Sequence, residues 1–237
     1  MSVRDVLGDL LTETAEQYAV RGAFLTGSHA RRAPWKTSDV DVFVMVEGSW
    51  RKKEIRRTGG WEFELFFNPA WKLDEELDEA VSEGNSSTVS ILRDAEILRD
   101  TDGEIARLKA RALEIWRAGP PAWTPFQREL ARYGVSDLVK DVDDVCAAGR
   151  QDSFRMLLGM ALGKIAEAYF GLRRQWLPKP KYFLEELGSS DATCRELAAA
   201  AATGDMDALY QLADISLEPA GGFIRGDWAL PPERLTQ

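Results

Sequence analysis

The stretch GAFLTGSHARRAPWKTSDVDVFVMV, from Gly22 to Val46, decides the fold. It reads as a short apolar strand, a sharp Gly27-Ser28 turn, a basic loop, and a second strand that opens on two carboxylates. The second strand has a clean period of two. Val40, Val42, Val44 and Val46 fall on one face, and Asp39, Asp41, Phe43 and Met45 on the other. Asp39 and Asp41 therefore point the same way from one strand end. Two like charges held that close repel unless a cation sits between them. Oxygen-only ligands with room for water and phosphate oxygens suit Mg²⁺. The Gly27-Ser28 turn offers backbone N–H groups beside that position, and such turns cradle phosphate. The residues thus point to a metal-plus-triphosphate site.

Outward from this stretch, Val3, Val6, Leu7, Leu10, Leu11, Thr14 and Tyr18 recur at helical spacing, which predicts a helix over 3–20 packed on the sheet. Downstream, Lys53–Thr58 and Trp61–Phe67 read as a hairpin joined at Gly59-Gly60. In its second strand Trp61, Phe63, Leu65 and Phe67 share one face; Glu62, Glu64 and Phe66 share the other. The run Arg51, Lys52, Lys53, Arg56 and Arg57 has two readings: charge that protects an edge strand from pairing, or a contact for triphosphate or substrate. Residues 70–83 predict an acidic helix carrying Asp74, Glu75, Glu76, Asp78, Glu79 and Glu83. That face is either solvated or a wall that attracts a polyamine. A short helix over 86–93, a strand at Glu96–Arg99 and a helix over 104–117 complete the first half.

Pro120, Pro121 and Pro125 mark a boundary, and no strand pattern follows. Helices are expected at 125–133, 136–148, 152–174, 191–202 and 205–217, broken at Gly134, Gly149 and Pro178/Pro180. The reading is a domain of residues 1–118 followed by a helical bundle of residues 119–237. Lys164 interrupts an apolar helix face; it either snorkels outward or binds triphosphate. Glu167, one turn later, either pairs with it or serves as base for an acceptor hydroxyl. Lys179-Pro180-Lys181-Tyr182 is a rigid basic turn that either closes over phosphates or simply links two helices.

Gly27-Ser28, ten intervening residues, then Asp39-Val40-Asp41 resembles the signature of the nucleotidyltransferase superfamily to which DNA polymerase beta and kanamycin nucleotidyltransferase belong. The run Ser-His-Ala-Arg from Ser28 to Arg31 and Ser38 before the first aspartate are similar to it as well. Arg32 stands where many members have glycine. The resemblance is specific over residues 22–46, weaker over 61–118 and general beyond. It implies an α/β (α+β) nucleotidyltransferase domain with a mixed sheet, followed by an all-α bundle that supplies the acceptor side of a cleft. In kanamycin-type members a third carboxylate comes from the next strand, and Glu64 matches that place, with Glu62 as the reserve. The implied catalytic and metal set is therefore Asp39, Asp41 and Glu64. The implied nucleotide set is Gly27, Ser28, Arg31, Arg32, Ser38, Lys164 and Lys181. His29, the single histidine, reads as a loop residue near the nucleotide.

The function the resemblance implies is transfer of a nucleoside monophosphate, AMP from ATP or its equivalent from another NTP. Two Mg²⁺ ions would serve as cofactors, the acceptor would be a hydroxyl on an aminoglycoside-like or lincosamide-like small molecule or metabolite, and pyrophosphate would be released. An antitoxin-type nucleotidyltransferase that modifies and binds a toxin protein is the alternative; those proteins are similar to the first domain alone. A nucleotide-binding regulator without catalysis is a third. A homodimer is expected by resemblance only.

The composition bounds these readings. The 237 residues carry a net charge of −9. There are 17 basic and 22 acidic residues before Gly119, and 13 and 17 from it onward. Both halves being acidic argues against a partner that is a long nucleic acid. No apolar run approaches the roughly 18 residues of a membrane span. The N-terminus is charged and amphipathic rather than a signal peptide. Cys146 and Cys194 show no pairing pattern, which predicts reduced, structural thiols and a cytoplasmic protein.

Overall fold

The computed structural model describes residues 2–84, 86–230 and 232. The chain forms two compact units that divide between Gly119 and Pro120. The first is α/β with a five-stranded mixed sheet; the second is all α among the described residues. This is the order of fold classes expected from the sequence.

In the first unit, helix α1 (Val3–Gln17) opens on a reciprocal cap. The Ser2 amide donates to Asp5 Oδ2 at 2.9 Å, and the Asp5 amide donates to Ser2 Oγ at 3.3 Å. The helix stops at Gln17 because Tyr18 turns extended. There its ring packs against Phe67 and Trp50 instead of prolonging the helix. Strands β1 (Val20–Leu25), β2 (Val40–Val46), β3 (Lys52–Thr58), β4 (Trp61–Asn68) and β5 (Glu96–Asp100) lie in the order β3-β4-β2-β1-β5. The β2–β4 pair is parallel and the other neighbours are antiparallel. Gly59 and Gly60, both left-handed at φ 57° and 82°, form the two-residue turn between β3 and β4.

The valines of β2 join Phe63, Leu65 and Phe67 of β4 and Val6, Leu7 and Leu10 of α1 in one core. Each of these large side chains contributes about 1.5–3 kcal/mol by leaving water. The opposite face is also covered. Phe24, Phe43 and Phe66 stack in sequence across three strands, with ring centroids 5.1 and 4.8 Å apart. Acids therefore occupy only the strand end of that face, and aromatic packing takes over one pleat further on.

Helices α3 (Ala70–Glu83), α4 (Ser87–Arg93) and α5 (Glu104–Ala118) follow the predicted pattern. The acidic face of α3 is largely paired. Arg107 and Arg111 bind Asp74, Arg111 also binds Asp78, and Arg51 reaches Glu76. These pairs hold the Asp74 carboxyl below the usual aspartate range, the Arg107 hydrogen bond being the largest cause.

In the second unit, the two helices expected around Gly134 are one, α6 (Pro125–Ala147), capped by Thr124 and Gln127. Gly134 does not break it. A side chain there would lie 3.8 Å from Lys164 Cε, so the glycine sits where α6 faces the next helix. Helix α7 (Gln151–Leu172) is followed by a 3-10 turn, Pro180–Tyr182, and by α8 (Phe183–Ser190), which the sequence pattern did not indicate. Helices α9 (Ala192–Ala202) and α10 (Met206–Leu217) begin on Asp191 and Asp205 caps. Arg173 ties α7 to the end of α10: it donates to the carbonyls of Ser216 (3.0 Å) and Ile215 (2.8 Å) while lying over the Tyr169 ring. Cys146 and Cys194 are both free.

Candidate active site

The site is built from the end of β1, the start of β2, the middle of β4 and one very short helix. Asp39 immediately precedes β2, and Asp41 is its second residue. The parallel pairing of β2 with β4 sets Asp41 directly opposite Glu64. Neighbouring residues of a parallel pair point to the same side. Asp39, Asp41 and Glu64 thus each offer a carboxylate oxygen, all within 4.8 Å of one another, and all three are half-buried. Glu62 lies outside this cluster and pairs with Arg57 at 2.6 Å. Alternation alone puts Glu62 and Glu64 on one face, and the resemblance favoured Glu64 with Glu62 in reserve; the β2–β4 register sets Glu64, not Glu62, opposite Asp41.

The turn after β1 closes over the cluster. Helix α2 (Gly27–Ala30) starts there, and the Thr26 amide donates to the Asp41 carbonyl at 3.0 Å, tying the two segments together. The Thr26 hydroxyl goes to the Ile91 carbonyl at 3.2 Å and does not cap the helix. Gly27 adopts φ 69°, and a Cβ on it would stand 2.1 Å from Asp41 Oδ2. Only glycine lets the backbone come this close to the carboxylate.

A cation already belongs to the site. Lys53 of edge strand β3 sets its Nζ 2.8 Å from Glu64 Oε2 and over the Phe66 ring. The Glu64 hydrogen bond and charge, followed by the charges of Asp41 and Asp39, hold this lysine above its ordinary pKa. The oxygen-only donors and their mutual spacing are a set that could hold a divalent cation. Lys53 would compete with such an ion. Lys53→Met is therefore expected to tighten Mn²⁺ binding by about two- to fivefold at low salt, with the gain shrinking as salt rises, because the lysine is half exposed. Weaker binding in that variant, measured by titration, would mean that Lys53 instead orients Glu64.

The rest of the basic run is also spoken for: Lys52 bonds the Tyr18 hydroxyl at 2.9 Å and pairs with Glu54, as does Arg56. These contacts fit an edge strand dressed in charge.

The predicted nucleotide residues fall in three groups. Gly27 and Ser28 adjoin the carboxylates, and Ser28 is buried. Arg31, Arg32 and Ser38 lie on the loop between α2 and β2. Arg31 is exposed, with Nη1 3.8 Å from Asp94 Oδ2. Arg32 adopts φ 58°, the left-handed conformation that glycine takes without strain. The Ser38 hydroxyl accepts the Trp35 amide at 2.9 Å and so closes the loop on itself. Lys164 and Lys181 belong to the second unit. Lys164 pairs with Glu167 at 3.0 Å, and Lys181 lies over the Tyr182 ring. His29 packs edge-on against Trp61, with Nε2 buried and without a hydrogen-bond partner among the described residues. Lys53 is the residue of the cluster that sequence reading did not assign individually; its place in the basic run was the one available signal.

No helix is long and apolar enough to cross a membrane among the described residues. No family model matches the chain, and no curated protein matches it. Among solved structures the chain is similar to a nucleotidyltransferase-like protein from Exiguobacterium sibiricum 255-15, at 14% sequence identity and a TM-score of 0.47, over 92% of this chain and 73% of that one.

Proposed function

We propose that this protein is a divalent-metal-dependent nucleotidyltransferase that moves a nucleoside monophosphate, AMP from ATP in the simplest case, to a hydroxyl of a small molecule. The observation that carries the reading is the convergence of Asp39, Asp41 and Glu64 beside the Gly27-Ser28 turn. Asp39 and Asp41 would hold the metal ions, and Glu64 the ion nearest the acceptor oxygen. Two Mg²⁺ ions held there would supply Lewis-acid polarisation and neutralise charge developing on phosphate. Gly27 and Ser28 present backbone N–H groups and a hydroxyl to the β- and γ-phosphates, and Arg31 and Arg32 add positive charge from the loop. The acceptor hydroxyl oxygen bonds to the α-phosphorus as the bond to the α–β bridging oxygen breaks; the hydroxyl proton passes to solvent and pyrophosphate leaves with the bonding electron pair. The acidic charge of both units favours a small cationic or neutral acceptor over a polyanion.

The test uses purified protein, Mg²⁺, each of four α-phosphate-labelled nucleotides and a cell extract divided by size. Label is expected in the small-molecule fraction with one nucleotide preferred. Label on a protein would transfer the reading to the antitoxin-type alternative. No label transfer and no pyrophosphate release from any nucleotide would overturn it.

A further inference from the structure

Three strands lay out the face that carries the carboxylates, and one position on it has no part in metal or phosphate chemistry. Asp41 of β2 stands opposite Glu64 of β4, and Glu64 stands opposite Ile55 of β3. Directly opposed residues of neighbouring strands project to the same side, with Cβ atoms about 4.5–5.5 Å apart in an antiparallel pair. Ile55 is therefore the third side chain of a row that begins with two of the carboxylates. It is 46% exposed, in a strand whose other residues, Lys52, Lys53, Glu54, Arg56, Arg57 and Thr58, are charged or polar. Charge on an edge strand guards against pairing with another chain, and an exposed isoleucine at its centre does not serve that end. A single exposed apolar side chain carries no meaning alone. Its place beside Glu64 gives it one.

The direction of transfer sets what that place faces. The Gly27-Ser28 turn follows β1, which flanks β2 on the side away from β4. With pyrophosphate over that turn, in-line displacement brings the acceptor oxygen to the α-phosphorus from the opposite side, over β4 and β3. The floor there is Ile55, with Lys53 and Arg57 two residues away on either side and on the same face. Lys53 pairs with Glu64 at 2.8 Å, and Arg57 with Glu62 at 2.6 Å. Two cations on this face disfavour a cationic acceptor, and the acidic charge of the unit disfavours a polyanionic one. A neutral acceptor meets neither penalty.

We propose that Ile55 is the acceptor contact of the site, and that the acceptor is a neutral molecule with an apolar face beside its hydroxyl. The proposal rests on the nucleotidyltransferase reading and names its substrate class. Contact with Ile55 supplies acceptor affinity and selectivity, while the carboxylates and the Gly27-Ser28 turn serve metal and nucleotide.

The test divides the small-molecule fraction of a cell extract over cation-exchange, anion-exchange and reversed-phase columns. Each part is offered as acceptor to the full chain with Mg²⁺ and α-phosphate-labelled nucleotide. Acceptor activity is expected to pass both ion exchangers and to be held by the reversed-phase column. Ile55→Thr keeps the β-branched shape that strands favour and removes apolar contact at an exposed position. This variant is expected to need about three- to tenfold more of the active part for half-maximal transfer, the scale of one buried methylene or slightly more. Its half-saturating nucleotide concentration and its Mn²⁺ affinity should match the parent's. Acceptor activity held by either ion exchanger, or an unchanged half-maximal amount in Ile55→Thr, would overturn the proposal and leave nucleotidyl transfer standing. An equal rise for nucleotide would assign the effect to a disturbed strand and overturn it as well. No transfer by the parent chain to any part would overturn both.

Discussion

Asp41→Asn is expected to lower nucleotide transfer by about 10³-fold or more, the scale lost when one member of a group acting as a unit is removed. The substitution keeps the shape of the side chain and the strand pairing, including the Thr26 amide bond to the Asp41 carbonyl. What it removes is one charge from three carboxylates within 4.8 Å of one another. Without metal, that removal relieves repulsion among the carboxylates and weakens the pull on Lys53, two effects of opposite sign. The metal-free variant should therefore melt close to the parent while its turnover collapses. Rate and melting temperature measured together separate loss of chemistry from loss of fold. Near-normal turnover would sink the assignment of Asp41.

Gly27→Ala reaches the same carboxylate from the opposite side. The added Cβ would stand 2.1 Å from Asp41 Oδ2 and 3.1 Å from its Cγ, at a backbone φ of 69°. The left-handed conformation alone costs a residue other than glycine about 1–2 kcal/mol. The overlap cannot persist, so either Asp41 rotates away or the α2 turn lifts off the sheet. A displacement of about 1 Å in a reacting assembly costs about 10²-fold in rate, and at least that loss is expected here. Gly60→Ala is the control: its φ is 82°, with nothing within 4 Å of the new Cβ. It should lose comparable stability and keep activity. Equal activity losses in the two variants would assign the Gly27 effect to instability instead of geometry.

Much of the frame was legible in the chain because one face of each strand is uniform. The alternation in Val40–Val46 and Trp61–Phe67 predicts both strands, and the Gly59-Gly60 pair marks the hairpin between Lys53–Thr58 and Trp61–Phe67. Glu64 was preferred to Glu62 by resemblance alone, since alternation places both on one face; the parallel register with β2 sets Glu64 opposite Asp41. The Phe24, Phe43 and Phe66 stack escaped for a related reason: its members sit on three strands whose lateral order no local pattern specifies. In the second unit, Gly134 reads locally as a helix break, yet packing of α6 on α7 carries the helix through it. Helix α8 was hidden between Pro180 and Asp191 because eight residues are too few to show a helical period beside a proline-rich turn.

The most direct test of the central claim is a titration of the purified protein with Mn²⁺, followed by electron paramagnetic resonance, for the parent chain and for Asp39→Asn/Asp41→Asn. The account predicts saturable binding to the parent, tightened by a nucleoside triphosphate, and its loss in the double variant. Binding that survives unchanged in the double variant, or no saturable binding to the parent with nucleotide present, would contradict it.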